Sequence, residues 1–300
     1  MQSTFLQLRR CRRIPVQENK VLLKSADKSL ALAADNIHNL LDSLLPLLNG
    51  TSTEKEVLAA LVPELKEDAA EVLRLLGKEG FLETGAEPAK QLAQSLIILI
   101  STGRLGETMS RHLRQSGAEQ VEEIDAESAA GGHLPDSLQQ AAMVVVCTDL
   151  PRPDLCEAVN KAALTLKLPW LLVQADGRDG WVGPLFIPGE TGCYDCLRQR
   201  LLSCSVSPEI DQAIHAAALR QPFTESLELL PPFLDLLAAM AALEAIRHLS
   251  AVSPPLTYKT QILLDCISGI SRRDVLHRIP RCPSCSTSSE QVSPIQPFSG

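Results

Sequence analysis

The sequence predicts an α/β protein in two parts: a winged-helix module over residues 1–86, then a doubly wound domain over residues 90–285 pinned by four cysteines. Residues 286–300, rich in Ser and Pro, are expected to be a disordered tail. Three observations carry this expectation. The N-terminal stretch alternates short apolar runs with three amphipathic segments. From residue 95 onward, continuous apolar runs alternate with helical patterns. Two Cys-x-x-Cys pairs, Cys193/Cys196 and Cys282/Cys285, lie near the end.

In the first module, Val21–Lys24 and Leu30–Ala33 read as strands joined by a tight connection. Asn36 is placed as the N-cap of a helix whose apolar positions are Ile37, Leu40, Leu41, Leu44, Leu45 and Leu48, ended by Asn49-Gly50. Thr53 and Glu56 have capping-box spacing for a second helix through Leu61, which Pro63 breaks. A third helix runs from Lys66 to Lys78 with Ala69, Val72, Leu75 and Leu76 on one face. Phe81–Thr84 closes the module as a strand, and residues 85–88 form a linker. In the second part, strands are expected at 95–100, 121–125, 142–147, 169–174 and 260–266. Helices fill most of the gaps, the longest over 232–250. A run as apolar as Ser95–Ile100 fits a strand buried on both faces of a parallel sheet.

Composition narrows the function. A 300-residue chain that is 45% hydrophobic can bury two cores. Its net charge of -8 and pI near 5.3 oppose phosphate-backbone binding, and 3% aromatics leave few stacking platforms. The third helix carries Glu67, Asp68, Glu71 and Glu79, which would repel DNA. Neither a nucleic acid nor a membrane is an expected partner: no apolar run is long enough to span a bilayer, and the basic start lacks the apolar segment of a signal peptide. The expected location is the cytoplasm. Nine cysteines in a long chain from a reducing compartment favour metal over disulfides.

The paired cysteines are the strongest chemical signal. Two residues between cysteines let both thiolates face one metal, and four sulfurs leave no open position, so Cys193, Cys196, Cys282 and Cys285 are expected to hold a structural zinc. The second signal is weaker. Ser101–Gly106 (STGRLG) sits between a strand and a helix, where a dinucleotide fingerprint belongs, but Ser101 replaces its first glycine. Gly103 and Gly106 either belong to a vestigial nucleotide site, with Asp125 reaching a ribose hydroxyl, or serve only a tight turn and close helix packing. No nucleophile–base pairing stands out, and the six histidines have no metal spacing.

These residues carry a family likeness. Gly180–Pro184 (GWVGP), followed by Pro188-Gly189 and the Cys193/Cys196 knuckle, resembles the ThiF-like family related to ubiquitin-activating enzymes, where a strand and a G-x-V-G-P turn lead to the zinc knuckle. His277–Cys285 resembles that family's closing knuckle. Within the family, the chain resembles the ThiF-like component of azoline-forming cyclodehydratases, whose N-terminal winged helix binds leader peptides. Residues 16–84 resemble such a module, through Val21–Ser25 and Leu47–Thr51. The likeness implies a partner of the YcaO type, an ATP-using cyclodehydratase, and a homodimer. Adenylating members have an intact Gly-rich loop and Arg and Lys residues after the second strand that hold ATP phosphates. Here residues 126–133 read AESAAGGH, with no Arg or Lys before Arg152.

The expected function is therefore a leader-peptide-binding scaffold in ribosomal peptide natural-product (bacteriocin-type) biosynthesis, presenting a precursor to the YcaO partner. Leu30, Leu32, Leu73 and Arg74 are the expected groove residues. The alternative is an adenylating enzyme that activates a peptide carboxylate, and an NAD-dependent oxidoreductase is a weaker third.

Overall fold

The computed structural model describes residues 5–84, 88–131, 133–224, 227, 230–251 and 253–286. The expected tail beyond residue 286 and most of the expected linker lie outside the described residues. The chain divides into two compact units, residues 1–87 and 88–300.

The first unit contains β1 (Phe5–Leu8), β2 (Arg12–Gln17), β3 (Lys20–Lys24), β4 (Ser29–Ala33), α1 (Ile37–Leu44), β5 (Asn49–Thr53), α2 (Glu54–Ala60), α3 (Lys66–Lys78) and β6 (Leu82–Thr84). Two small antiparallel sheets, β5-β1-β6 and β2-β3-β4, flank the helices. Their common core includes Val21, Leu23, Leu40, Leu41, Leu44 and Leu76. Thr53 and Glu56 form the expected capping box: the Thr53 amide donates to the Glu56 carboxylate at 2.8 Å, and the Glu56 amide donates back to Thr53 Oγ1. Thr53→Ala is expected to cost about 1 kcal/mol, read as an earlier urea midpoint of this unit.

Four details of the unit correct the sequence reading. Asn36 stands at the N-cap of α1 but its side chain makes no capping bond. Asn49-Gly50 does not simply stop a helix; it opens β5, which pairs with β1. On α3 it is Leu73, not Leu75, that is fully buried. β1 and β2 were not anticipated, because β2 is exposed along nearly all its length and shows no alternation.

The second unit runs α4 (Pro88–Gln94), β7 (Ile97–Ser101), α5 (Gly103–Gln115), β8 (Val121–Asp125), α6 (Ala126–Ala130), β9 (Met143–Thr148), α7 (Pro153–Leu166), β10 (Trp170–Asp176), β11 (Asp179–Phe186), α8 (Tyr194–Cys204), α9 (Pro208–Arg220), α10 (Pro231–Ser250), β12 (Thr260–Asp265) and β13 (Ser271–Val275). One seven-stranded sheet has the order β13-β12-β11-β10-β9-β7-β8. β8, β7, β9 and β10 are parallel, and β11, β12 and β13 extend them antiparallel. The G-x-V-G-P run lies inside β11, not in a turn. Helices α4, α5 and α10 cover one face of the sheet; α6, α7 and α8 cover the other. Every residue of β9 is buried, as a strand covered on both faces requires. Among the described residues, no helix is long and apolar enough to cross a membrane.

Candidate functional site

β7 lies between β8 and β9, and the helices that follow β7 and β9 pack on opposite faces. The chain therefore diverges at the carboxyl ends of these two strands, the crevice where open α/β sheets bind ligands. The STGRLG turn stands there, with the first amides of α5 aimed outward as an anion site. That site is filled from within the chain. Asp149, just past β9, accepts hydrogen bonds from the amides of Arg104 and Leu105, both at 2.9 Å. Gly103 has φ of +60°, and a Cβ there would lie 2.1 Å from the Asp149 carboxylate. Gly106 admits the side chain of Ser101, which a Cβ would meet at 2.3 Å. Burial pushes the Asp149 carboxyl upward, and the two amides pull it back.

The cations nearby are engaged too. Arg104 reaches the Asp235 carboxylate of α10 at 3.0 and 3.3 Å. Arg152, the first Arg or Lys after the second strand of this unit, is only 1% exposed and is held by Asp154 at 2.7 Å and Glu127 at 2.6 Å. Its hydrogen bonds to these two carboxylates hold it firmly protonated. Asp125 caps α6, accepting from the Ser128 amide at 3.1 Å. The sequence singled out Gly103, Gly106 and Asp125 but missed Asp149. The available signal was an acidic residue directly after a buried strand.

On the opposite face of the sheet, Cys193, Cys196, Cys282 and Cys285 bring their Sγ atoms within 4.8 Å of one another. Three of the separations are 3.9, 3.8 and 3.6 Å. A tetrahedron with metal–sulfur bonds of about 2.3 Å has edges of about 3.8 Å, so the cluster fits zinc in size and donor type. The Ile279 amide donates to Cys196 Sγ at 3.4 Å, and Ser284 donates to Asp195, joining the two knuckles. Hydrogen bonds from the Cys193 thiol and the Ile279 amide push Cys196 downward, the direction of a ready thiolate. Trp170 stacks on Phe186 with ring centroids 4.4 Å apart and closes the apolar side.

In the first unit, β4 is an outer strand with no partner on its far side among the described residues. The Ala34 amide donates to Asn19 O and the Ser25 amide to Lys28 O, which sets the alternation of the β3–β4 ladder. Ser29, Ala31 and Ala33 consequently direct their main-chain groups away from β3. Of the expected groove residues, Leu32 and Leu73 are each 3% exposed and belong to the core, which corrects their assignment: a side chain sealed inside cannot line an open groove. Leu30 is half-buried. Arg74 is exposed on α3, 3.9 Å from Glu71.

The fold and these sites define a nucleotide-type α/β domain with a four-cysteine knuckle. The chain belongs to the ThiF family, whose profile matches residues 123–287. It is 28% identical over 159 residues to the sulfur carrier protein ThiS adenylyltransferase of Escherichia coli K12, a match spanning 53% of this chain and 55% of that protein. The heterocyclase TruD matches with a TM-score of 0.66 and 26% identity over 94% of this chain and 43% of its own. The chain thus spans about half of the adenylyltransferase and less than half of the heterocyclase. MccB of E. coli, solved with N-formylated MccA, matches in fold with a TM-score of 0.60 and 17% identity, over 94% of this chain and 99% of its own.

Proposed function

We propose that this chain is the peptide-capturing subunit of an azoline-forming cyclodehydratase. On this reading the first unit is a winged-helix recognition element that holds the leader of a ribosomally made precursor. The leader adds a strand to the open edge of β4, with Leu30 and Arg74 flanking it. The ThiF domain docks a separate YcaO-type protein, which spends ATP on Cys, Ser or Thr of the core peptide. Holding both raises the effective concentration of substrate at the partner's site. The four cysteines hold a structural zinc that fixes the C-terminal segment to the start of α8. The likeness to the heterocyclase TruD supports a role in peptide modification.

One observation carries the non-adenylating assignment: the carboxylate of Asp149 already occupies the amides that a nucleotide phosphate needs. A triphosphate would meet that fixed negative charge, while Arg104 and Arg152 are bound to carboxylates. The second reading, an enzyme that adenylates a peptide carboxylate, is favoured by the near-complete coverage of MccB and by the adenylyltransferase relative. Calorimetry with magnesium and ATP, together with ATP–pyrophosphate exchange on a candidate precursor, separates the two. No uptake and no exchange by the chain alone are expected. Tight magnesium-dependent ATP binding, or exchange without a partner, would establish the adenylating enzyme instead.

A further inference from the structure

Charge in the first unit is segregated. Residues 5–28 hold seven basic side chains against two acidic ones, whereas residues 29–87 hold four basic against eleven acidic. Some of these cations serve the fold: Arg9 meets Asp27 at 3.6 Å, Arg13 pairs with Asp42, and Lys28 donates to Glu79 O at 3.1 Å. Arg10, Arg12 and Lys24 differ, for no carboxylate pairs with them among the described residues. They surround a concavity of about 480 Å³ where β2 begins and β3 ends, together with Cys11, Ser25 and Ala26.

The register makes this arrangement informative. Arg12 stands directly opposite Lys24 in the β2–β3 ladder, and like charges in that position oppose pairing. Protection of an exposed strand edge does not require it. β2 is already blunted by a register shift between Pro15 and Gln17 and by Pro15, whose missing amide lies on the strand's outer side. Facing cations kept without a counter-charge call for an anion from outside. β4, with five uncharged residues in unbroken register, is suited to strand addition; β2 is not.

We propose that Arg10, Arg12 and Lys24 form a docking site for an acidic stretch of the captured peptide, separate from the β4 edge. The proposal rests on the peptide-binding reading above. A peptide suits the site better than a nucleic acid, because a duplex reaching beyond this hairpin would meet the acidic remainder of the unit, where residues 29–87 hold eleven acidic side chains against four basic ones. A short acidic segment can reach the hairpin alone.

Fluorescence polarisation on the full chain tests this, with labelled octaglutamate as probe and octaglutamine as control. Octaglutamate is expected to bind in a salt-sensitive manner, despite the chain's net charge of -8, and octaglutamine not to bind. The triple variant Arg10→Gln/Arg12→Gln/Lys24→Gln is expected to weaken binding about tenfold and to melt no lower than the natural protein, since repulsion is relieved. Arg12→Gln alone should weaken it about threefold and keeps the test open if the triple variant misfolds. Lys55→Gln/Lys66→Gln, on α2 and α3 and outside the lining of the concavity, should leave affinity unchanged. Absent octaglutamate binding, or equal binding by the variants, overturns the site. Displacement of octaglutamate at lower concentration by a short DNA duplex or by phosphatidylserine vesicles overturns its assignment to a peptide. Because octaglutamate contains no leader sequence, its failure to bind while leader capture persists removes only this site. Loss of leader capture with octaglutamate binding intact leaves the cation site standing and removes the peptide-capture reading on which its assignment to the captured peptide rests.

Discussion

Cys282→Ser is expected to lower the melting temperature of the ThiF domain by about 10 °C or more, and a strong chelator should reproduce the shift in the natural protein. The reason is topological. Cys193 and Cys196 stand at the start of α8, whereas Cys282 and Cys285 lie on a segment that follows the edge strand β13 and has little regular structure of its own. In the folded domain the four sulfurs converge; in the unfolded chain they are scattered, so metal affinity becomes folding free energy. Metal analysis should return one zinc per chain. A metal-free preparation with the same melting temperature would remove zinc from the account.

The other large effect is expected at β4. Ala31→Pro should weaken capture of a labelled candidate leader peptide on the order of a hundredfold. Ala31 lies at the middle of the strand, opposite Leu22, and directs its amide outward. Proline there deletes a donor that an incoming strand needs and places its ring in that strand's path. The β3–β4 ladder keeps its bonds, so the melting temperature should hardly move. Ala31→Val, which retains the amide, serves as control. Undiminished affinity of the proline variant would show that the leader does not add to this edge.

Much of the framework could be read before any coordinates. The capping box at Thr53/Glu56, the span of α3, the limits of β8 and the convergence of four cysteines follow from local chemistry that tertiary context did not override. Helices α8 and α9 were not specified, because they lack a continuous apolar face. Only Cys196 and Leu197 of α8, and Ala218 of α9, are buried. β13 escaped notice because it is an edge strand of charged residues. The candidate site was legible by half. The missing glycine at Ser101 signalled an impaired loop. The occupant of that loop, Asp149, lies 45 residues from Arg104, and only the pairing of β7 with β9 brings the two together.

A carboxylate fixed at the mouth of the loop has a consequence for timing. A protein that binds and releases a nucleotide gains a clock, since each hydrolysis or exchange event resets its grip on cargo. Here the negative charge is covalently part of the chain, neither exchanged nor consumed. On the proposed scaffold reading, peptide retention would be indifferent to the cell's ATP/ADP balance, and any rhythm of loading and discharge would be imposed by the separate protein proposed to carry out the chemistry.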